Sequence, residues 1–276
     1  MKGIILAGGT GSRLYPATKA ICKQLLPIYD KPMIYYPLSI LMLSNIKDIL
    51  MIVRPQDESL FKLLLRDGSQ WGINIEYKLQ ENPNGLPEAF ILGESFIDGD
   101  QTMLILGDNF IYGQNLQFQL QNAVKQKTGG TIFTYLVKDP ERYGVLVLDD
   151  QQKPIDVVEK PKNYISNLAI PGLYIFDERV CEVAKALKPS KRGETEITDV
   201  IRWYMERGEL KVSQFGRGTA WFDSGTSNSL LQASSFVHTI QTRQGLSIAC
   251  LEEVALHMGY IDSVDIDDKI QSDYAI

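Results

Sequence analysis

The sequence is poor in the side chains that hold soft metals or serve nucleophilic triads. It has two histidines and three cysteines in 276 residues. Cys22, Cys181 and Cys250 are widely spaced and odd in number, so neither a zinc pattern nor a disulfide framework can be drawn, and a reducing, cytoplasmic setting is expected. His238 and His257 fall late, in stretches that read as helical and far from any glycine-rich or acidic motif, which argues against a histidine triad or a His-rich metal site. Basic charge is also short. Twenty-eight Lys and Arg against 34 Asp and Glu leave a net charge of −6, the reverse of the footprint a nucleic-acid binder needs. The longest apolar stretch, around Ile34–Leu43, contains Pro37 and is too short to span a bilayer. The apolar run within Met1–Gly9 is below signal-peptide length. Neither nucleic acid nor membrane is expected as a partner. No Ser/Gly/Pro-rich linker, low-complexity tract or hexapeptide repeat interrupts the chain, so one α/β domain over residues 1–276 is expected.

What is present alternates between strand-like and helix-like segments. Gly3–Ala7, Asp48–Val53, Asn74–Leu79 and Thr102–Leu106 read as strands. Pro32–Ile46, Asp57–Arg66 and Pro87–Ile97 read as the helices between them. This βαβαβαβ rhythm predicts a largely parallel sheet with helices on both faces. After a helix over Leu116–Lys127 the pattern changes. Thr131–Val137, Tyr143–Leu148, Ile155–Glu159 and Leu168–Phe176 follow closely as strands, an antiparallel or mixed extension of the sheet. Helices return at Glu178–Leu187, Ile197–Arg207 and Ser227 to about Arg243.

Gly8-Gly9-Thr10-Gly11-Ser12-Arg13 follows the first strand directly. Glycines there let the backbone turn sharply, and successive N–H groups can point at phosphate oxygens. The Walker A ending is missing, and Leu14 stands where a dinucleotide fingerprint has its third glycine. A plain turn and a phosphate cradle both fit the loop alone. Arg13, whose planar fork suits phosphate, and Lys23, ten residues on, favour the polyphosphate reading. Asp108 ends the buried strand Thr102–Leu106 one glycine later, at the sheet edge where ligands bind in open α/β folds. Asp223 is hemmed by apolar and small residues. Both are hard oxygen donors of the kind Mg²⁺ takes, though each alone also reads as a cap or turn. Glu159-Lys160-Pro161 in isolation reads first as an exposed turn and second as an acid for sugar hydroxyls with a lysine for phosphate, and Lys191-Arg192-Gly193-Glu194 alone reads as a charged loop.

Together these motifs resemble the sugar nucleotidyltransferases, and most closely the glucose-1-phosphate thymidylyltransferases. The residues that carry the resemblance are Gly3–Leu14, Lys23–Pro27, Tyr29–Leu38, Gln80 with Gly85, Leu104–Asn109, Arg142–Val145, Glu159–Pro161, Glu196–Val200, Gly216–Asp223 and Thr242–Cys250. The sequence departs from the commonest pattern in its Gly-Thr-Gly-Ser-Arg loop, at Ile170-Pro171-Gly172, and at Ser227, where relatives often carry His.

The resemblance implies a Rossmann-like, mostly parallel mixed sheet flanked by helices. It implies a nucleotide-binding half to about residue 130, a smaller β-rich sugar- and metal-binding half over about 131–240, and a helical tail over about 241–276. It implies dTTP and glucose 1-phosphate as substrates, dTDP-glucose and pyrophosphate as products, and Mg²⁺ held by Asp108 and Asp223. Arg13, Lys23, Asp108 and Asp223 would be catalytic. Gly8, Gly9, Thr10, Gly11, Ser12, Gln24, Gln80 and Gly85 would join Arg13, Lys23 and Asp108 around the nucleotide. Asn109, Gly144, Glu159, Lys160, Ile170 and Arg192 would hold the sugar phosphate. It further implies a homotetramer inhibited by a dTDP-sugar end product of deoxysugar biosynthesis. A uridylyl- or cytidylyltransferase on the same fold, and a non-catalytic sugar-nucleotide sensor, are the alternatives.

Overall fold

A computed structural model describes residues 1–262. In chain order the elements are β1 (Lys2–Ala7), β2 (Pro27–Ile28), β3 (Lys31–Pro32), α1 (Tyr35–Leu43), β4 (Asp48–Val53), α2 (Glu58–Leu65), β5 (Asn74–Leu79), α3 (Glu88–Leu92), α4 (Glu94–Ile97), β6 (Thr102–Leu106), β7 (Phe110–Gly113), α5 (Leu116–Ala123) and β8 (Gly130–Leu136). They continue with β9 (Gly144–Leu148), β10 (Pro154–Glu159), β11 (Leu168–Ala169), β12 (Leu173–Phe176), α6 (Val180–Ala186), α7 (Ile197–Glu206), β13 (Leu210–Gln214), β14 (Thr219–Phe222), α8 (Ser227–Gln244) and α9 (Leu251–His257).

Ten strands form one sheet in the order β10-β9-β11-β8-β12-β6-β1-β4-β5, with β13 paired to β8. The block β6-β1-β4-β5 is parallel, as the βα rhythm predicts. From β12 onward the pairing is antiparallel, except for the parallel β8–β13 pair. Successive strand residues point to opposite sides, and in β1, β4 and β6 both sides are buried, whereas β5, at the edge of the sheet, exposes Asn74, Glu76 and Lys78. Ile5, Met51 and Ile105 pack with Leu38, Phe61, Leu120 and Leu251 of α1, α2, α5 and α9. Ile4, Ile52 and Leu104 pack on the other face with Phe90, Val180 and Ile201 of α3, α6 and α7. A third cluster joins α8, through Ala233 and Val237, to Phe110 of β7.

Several elements differ from the sequence reading. The helix expected from Pro32 begins at Tyr35, because Lys31–Pro32 pairs with Pro27–Ile28 in a hairpin that turns at Tyr29 (φ 60°). It ends at Leu43, before Asn45 in the left-handed region (φ 63°). Gly93 divides the stretch read as one helix over Pro87–Ile97 into α3 and α4. Leu168–Phe176 is two strands, since the Ile170-Pro171-Gly172 break moves the chain from between β9 and β8 to between β8 and β6. The short strands β7 and β14 pair with each other and were not anticipated. Of the expected tail over about 241–276, α8 reaches Gln244 and α9 covers Leu251–His257; residues 263–276 lie outside the described residues.

Asp177, just after β12, ties that strand's end to the start of β8 and to α7. Its buried carboxylate accepts from the Gly129 N–H at 2.6 Å, from the Tyr204 hydroxyl at 2.8 Å and from Arg179 at 2.5 Å. Burial alone would raise this carboxyl, but the bonds from Arg179, Gly129 and Tyr204 outweigh it and hold it below the ordinary carboxylate range. A depressed native value contributes stability that is present above the unfolded value and lost as pH falls through the native one. Asp177→Ala strips the acceptor from Gly129, Tyr204 and Arg179 and is expected to cost roughly 3 kcal/mol, measured by urea denaturation at neutral pH. The stability difference from the wild type should shrink as the pH is taken below 4, roughly the ordinary carboxylate range.

Candidate functional site

The register of β1 on β6, Leu6 opposite Leu106, ends both strands at one edge of the sheet. The glycine loop and Gly107-Asp108-Asn109 therefore leave side by side, and the Gly107 N–H donates back to the Leu6 carbonyl at 2.9 Å. Gly8 has no room for a side chain, because the amide oxygen of Gln80 lies where its Cβ would be. Gly11 takes the left-handed conformation (φ 64°) that starts the short turn Ser12–Leu14. That turn carries Arg13, whose guanidinium lies against Gly225. Lys23 and Gln24 are buried in a second short turn, Lys23–Leu25. Lys23 Nζ forms an ion pair with Asp108 Oδ2. Gln24 packs beneath Gly107 and accepts from the Cys22 thiol.

A cavity of about 220 Å³ opens on one side of Asp108, between the glycine loop and the segment after β5. Gly8, Gly9, Lys23, Gln24, Gln80, Gly85 and Asp108 line it. Gln80 donates through Nε2 to Glu88 at 2.6 Å, and Asn84 Nδ2 donates to the same carboxylate at 2.7 Å. Gly85 (φ 113°) is pressed so close to the Thr195 backbone, to which it is bridged, that any side chain would collide.

On the other side of Asp108 lies a cleft of about 640 Å³. Ser12, Arg13, Asp108, Asn109, Gly144, Glu159, Lys160, Ile170, Arg192 and Asp223 all line it. Asp223 follows β14, and Arg142 Nη2 donates to it at 2.5 Å while Nη1 donates to Asp139 at 2.7 Å. These partners strengthen the charged form of Arg142, the Asp139 bond most, and raise its pKa. Asn109 is 2% exposed, donating to the Gly172 carbonyl at 2.9 Å and accepting from the Trp221 indole N–H at 2.6 Å. Glu159 ends β10 with Lys160 Nζ 3.9 Å and Arg192 Nη1 3.6 Å away. Arg192 is itself shared with Glu194 at 3.0 Å and Glu196 at 3.4 Å. Burial raises the Glu159 carboxyl above the ordinary glutamate range; Lys160 opposes the shift and Glu196 adds to it.

Of the residues to which the resemblance gives binding or catalytic roles, all but Thr10 and Gly11 line one of these two adjoining spaces, and of them Asp108 is common to both. Asp108 and Asp223, 115 residues apart in the chain, share the larger cleft. Among the described residues no cluster of three or more His, Cys, Asp or Glu could cage a metal on its own. Two carboxylates on one wall instead suit a hard ion that completes its shell with phosphate oxygens and water. Two further residues received no role from sequence: Arg142, although it stands in a quoted motif, and Glu88. The only sign at Arg142 was an arginine just before the Tyr143-Gly144 turn into a strand, and Glu88 looked like an ordinary acid in a helix's first turn.

A model of the nucleotidyl transferase family matches residues 2–240. The chain is 52% identical over 266 residues to a glucose-1-phosphate thymidylyltransferase of Xanthomonas campestris pv. campestris, covering 96% of this chain and 90% of that one. It is 53% identical over 271 residues to the Neisseria meningitidis enzyme of the same name, covering 98% and 93%. A crystal structure from Bacillus anthracis, of a protein provisionally assigned the same activity and bound to sucrose, superimposes with a TM-score of 0.79 at 39% identity, covering 86% of this chain and 94% of that one. With the family model spanning most of its length and half its residues shared with these relatives, the chain belongs to the nucleotidyl transferase family.

Proposed function

We propose that the protein transfers a thymidylyl group from dTTP to glucose 1-phosphate, giving dTDP-glucose and pyrophosphate. The observation that carries this reading is the meeting of the two cavities at Asp108. One side offers glycine-loop backbone and a buried amide, suited to a nucleotide base. The other offers Glu159, Lys160 and Arg192, suited to a sugar with its phosphate. A reaction joining a nucleotide to a sugar phosphate has its reacting atoms at such a junction.

The chemistry follows from the groups there. A phosphate oxygen of glucose 1-phosphate forms a bond to the α-phosphorus of dTTP, the bond from that phosphorus to the bridging oxygen breaks, and pyrophosphate leaves with the electron pair. No protein nucleophile is needed, so rate comes from alignment and from offsetting charge. Arg13, at the mouth between the glycine loop and Gly225, meets the departing pyrophosphate. Lys23 lies within reach of the triphosphate once it exchanges Asp108 for phosphate oxygens. Lys160 and Arg192 receive the sugar phosphate, and Glu159 with Gly144 and Ile170 bounds the glucose. Asn109, whose amide is engaged by Gly172 and Trp221, supports that wall and has one N–H left for a sugar oxygen.

Enzymes of this family generally use a divalent metal. Asp108 and Asp223 fit Mg²⁺ in donor type and in sharing one cleft, and the ion would supply charge neutralisation at the reacting phosphates. Arg142 then keeps Asp223 oriented.

A cytoplasmic setting suits three buried, unpaired thiols, and among the described residues no helix is long and apolar enough to cross a membrane. A homotetramer inhibited by a dTDP-deoxysugar completes the reading. Such an inhibitor needs a second site, and a cavity of about 540 Å³ between α1, α5 and α9, which shares no lining residue with either space around Asp108, is large enough for one.

The main test is pyrophosphate release with Mg²⁺ across dTTP, UTP, CTP, ATP and GTP, each with several sugar 1-phosphates and with or without a dTDP-deoxysugar. The dTTP and glucose 1-phosphate pair should be strongly preferred and inhibited by the deoxysugar nucleotide. Preference for UTP or CTP overturns the named reaction, and no release with any pair points to a sensor. Arg13→Ala and Lys23→Ala should each slow turnover by about 10²–10³-fold, read as kcat at saturating substrates. Because its carboxyl is raised, Glu159 takes up its proton at higher pH than an exposed glutamate and then accepts fewer sugar hydroxyls. KM for glucose 1-phosphate should therefore climb on the acid side, starting above the ordinary carboxylate range. Glu159→Gln should remove that limb and raise the neutral-pH KM roughly 10- to 100-fold.

A further inference from the structure

The smaller cavity contains an amide whose direction is set by a carboxylate that the transfer itself does not use. Gln80 follows β5 and is 4% exposed. Its Nε2 donates to Glu88 Oε2 at 2.6 Å. Glu88, the first residue of α3, is held in turn, with Asn84 Nδ2 donating to Oε1 at 2.7 Å and the Asn84 N–H 3.4 Å from Oε2. A carboxylate accepts and cannot donate, so the nitrogen of the Gln80 amide must face it. The amide oxygen is thereby turned toward Gly8, into the space a side chain would fill, and among the described residues no group donates to it.

We propose that Glu88 is a positioning residue for base choice. By fixing the Gln80 amide with its oxygen toward the cavity, it presents an acceptor to ring position 3 of a pyrimidine. This inference rests on the reading of that cavity as the base site. Thymine and uracil carry an N–H at position 3 and can donate. Cytosine carries a lone pair there and sets acceptor against acceptor, leaving a buried polar group unpaired. The two ends of an amide are nearly the same shape, so without an orienting partner it can invert and offer N–H instead. Glu88 therefore works against cytosine and has no bearing on the thymine methyl.

That separation supplies the test. Pyrophosphate release with glucose 1-phosphate is measured for dTTP, dUTP and dCTP, which share one sugar, in the wild type, in Glu88→Gln, in the exchange Gln80→Glu with Glu88→Gln, and in Asn84→Ser. Thermal melting is recorded for each. In Glu88→Gln the ratio of kcat/KM for dTTP over dCTP should fall about 10- to 100-fold, while the dTTP over dUTP ratio stays within about twofold. The exchange variant returns an acceptor to the base and a donor behind it, and should restore most of the dTTP over dCTP ratio. Asn84→Ser loosens Glu88 without altering it and should shift the same ratio in the same direction by less, which keeps the test available if Glu88→Gln melts early. The proposal is overturned if the dTTP over dCTP ratio holds in Glu88→Gln and Asn84→Ser, if both ratios fall together, or if the exchange restores nothing. A wild type that does not prefer dTTP to dCTP overturns the thymidylyl reading itself, an outcome visible before any variant is made.

Discussion

The parallel pairing of β1 with β6 is the constraint on which the rest of the site depends. It brings the glycine loop and Asp108 out at one edge, the position where open α/β sheets bind their ligands. Strands apolar on both faces are weakly specified by pattern alone, and a slip of one residue exchanges the faces. Gly3 removes that freedom. Leu41 and Ile46 fill the space above it so closely that a larger residue would have to displace them. With Gly3 opposite Met103 and Ile49, the three strands end together at the edge that carries the glycine loop and Asp108.

The far wall of the larger cleft is joined to this edge by the pairing of β12 with β6 and of β14 with β7, and by one buried amide. Asn109 bonds both the Gly172 carbonyl, in the break between β11 and β12, and the Trp221 indole on β14. Both bonds are buried, where a hydrogen bond is electrostatically stronger than in water. The segments carrying Ile170 and Asp223 are therefore positioned from the same loop that carries Asp108. The distance between the two carboxylates is governed by backbone and aromatic packing rather than by a mobile linker. Thr226 adds to this by capping α8 through a reciprocal pair with Ser229, which ends the Asp223 loop firmly.

The parallel half was legible because its signals are local and strong: β4, β5 and β6 fall where apolar runs bounded by turn residues put them, and Asp108 was recognisable as a strand-end acid. What escaped notice depends on distant partners. β7 and β14 are four residues each and exist only because they pair across the fold. Pro32 suggested a helix start, yet pairing with Pro27 draws it into a hairpin. Glu88 and Arg142 are charged residues for which the sequence alone supplied no role. Their partners, Gln80 and Asp223, lie 8 and 81 residues away, and only the fold reveals that each charge is committed.

Those commitments bear on how an acidic protein meets anionic substrates. Lys23 is held on Asp108 and Arg142 on Asp223, so the cleft presents an incoming polyphosphate with dipoles rather than bare carboxylates. The repulsion due to a net charge of −6 originates elsewhere on the surface and is screened within about 8 Å at physiological ionic strength. Long-range attraction contributes little to the encounter, and selection happens at contact, where the cations exchange one oxygen partner for another. The rate of encounter therefore depends less on ionic strength than it does in an enzyme steered electrostatically to its substrate.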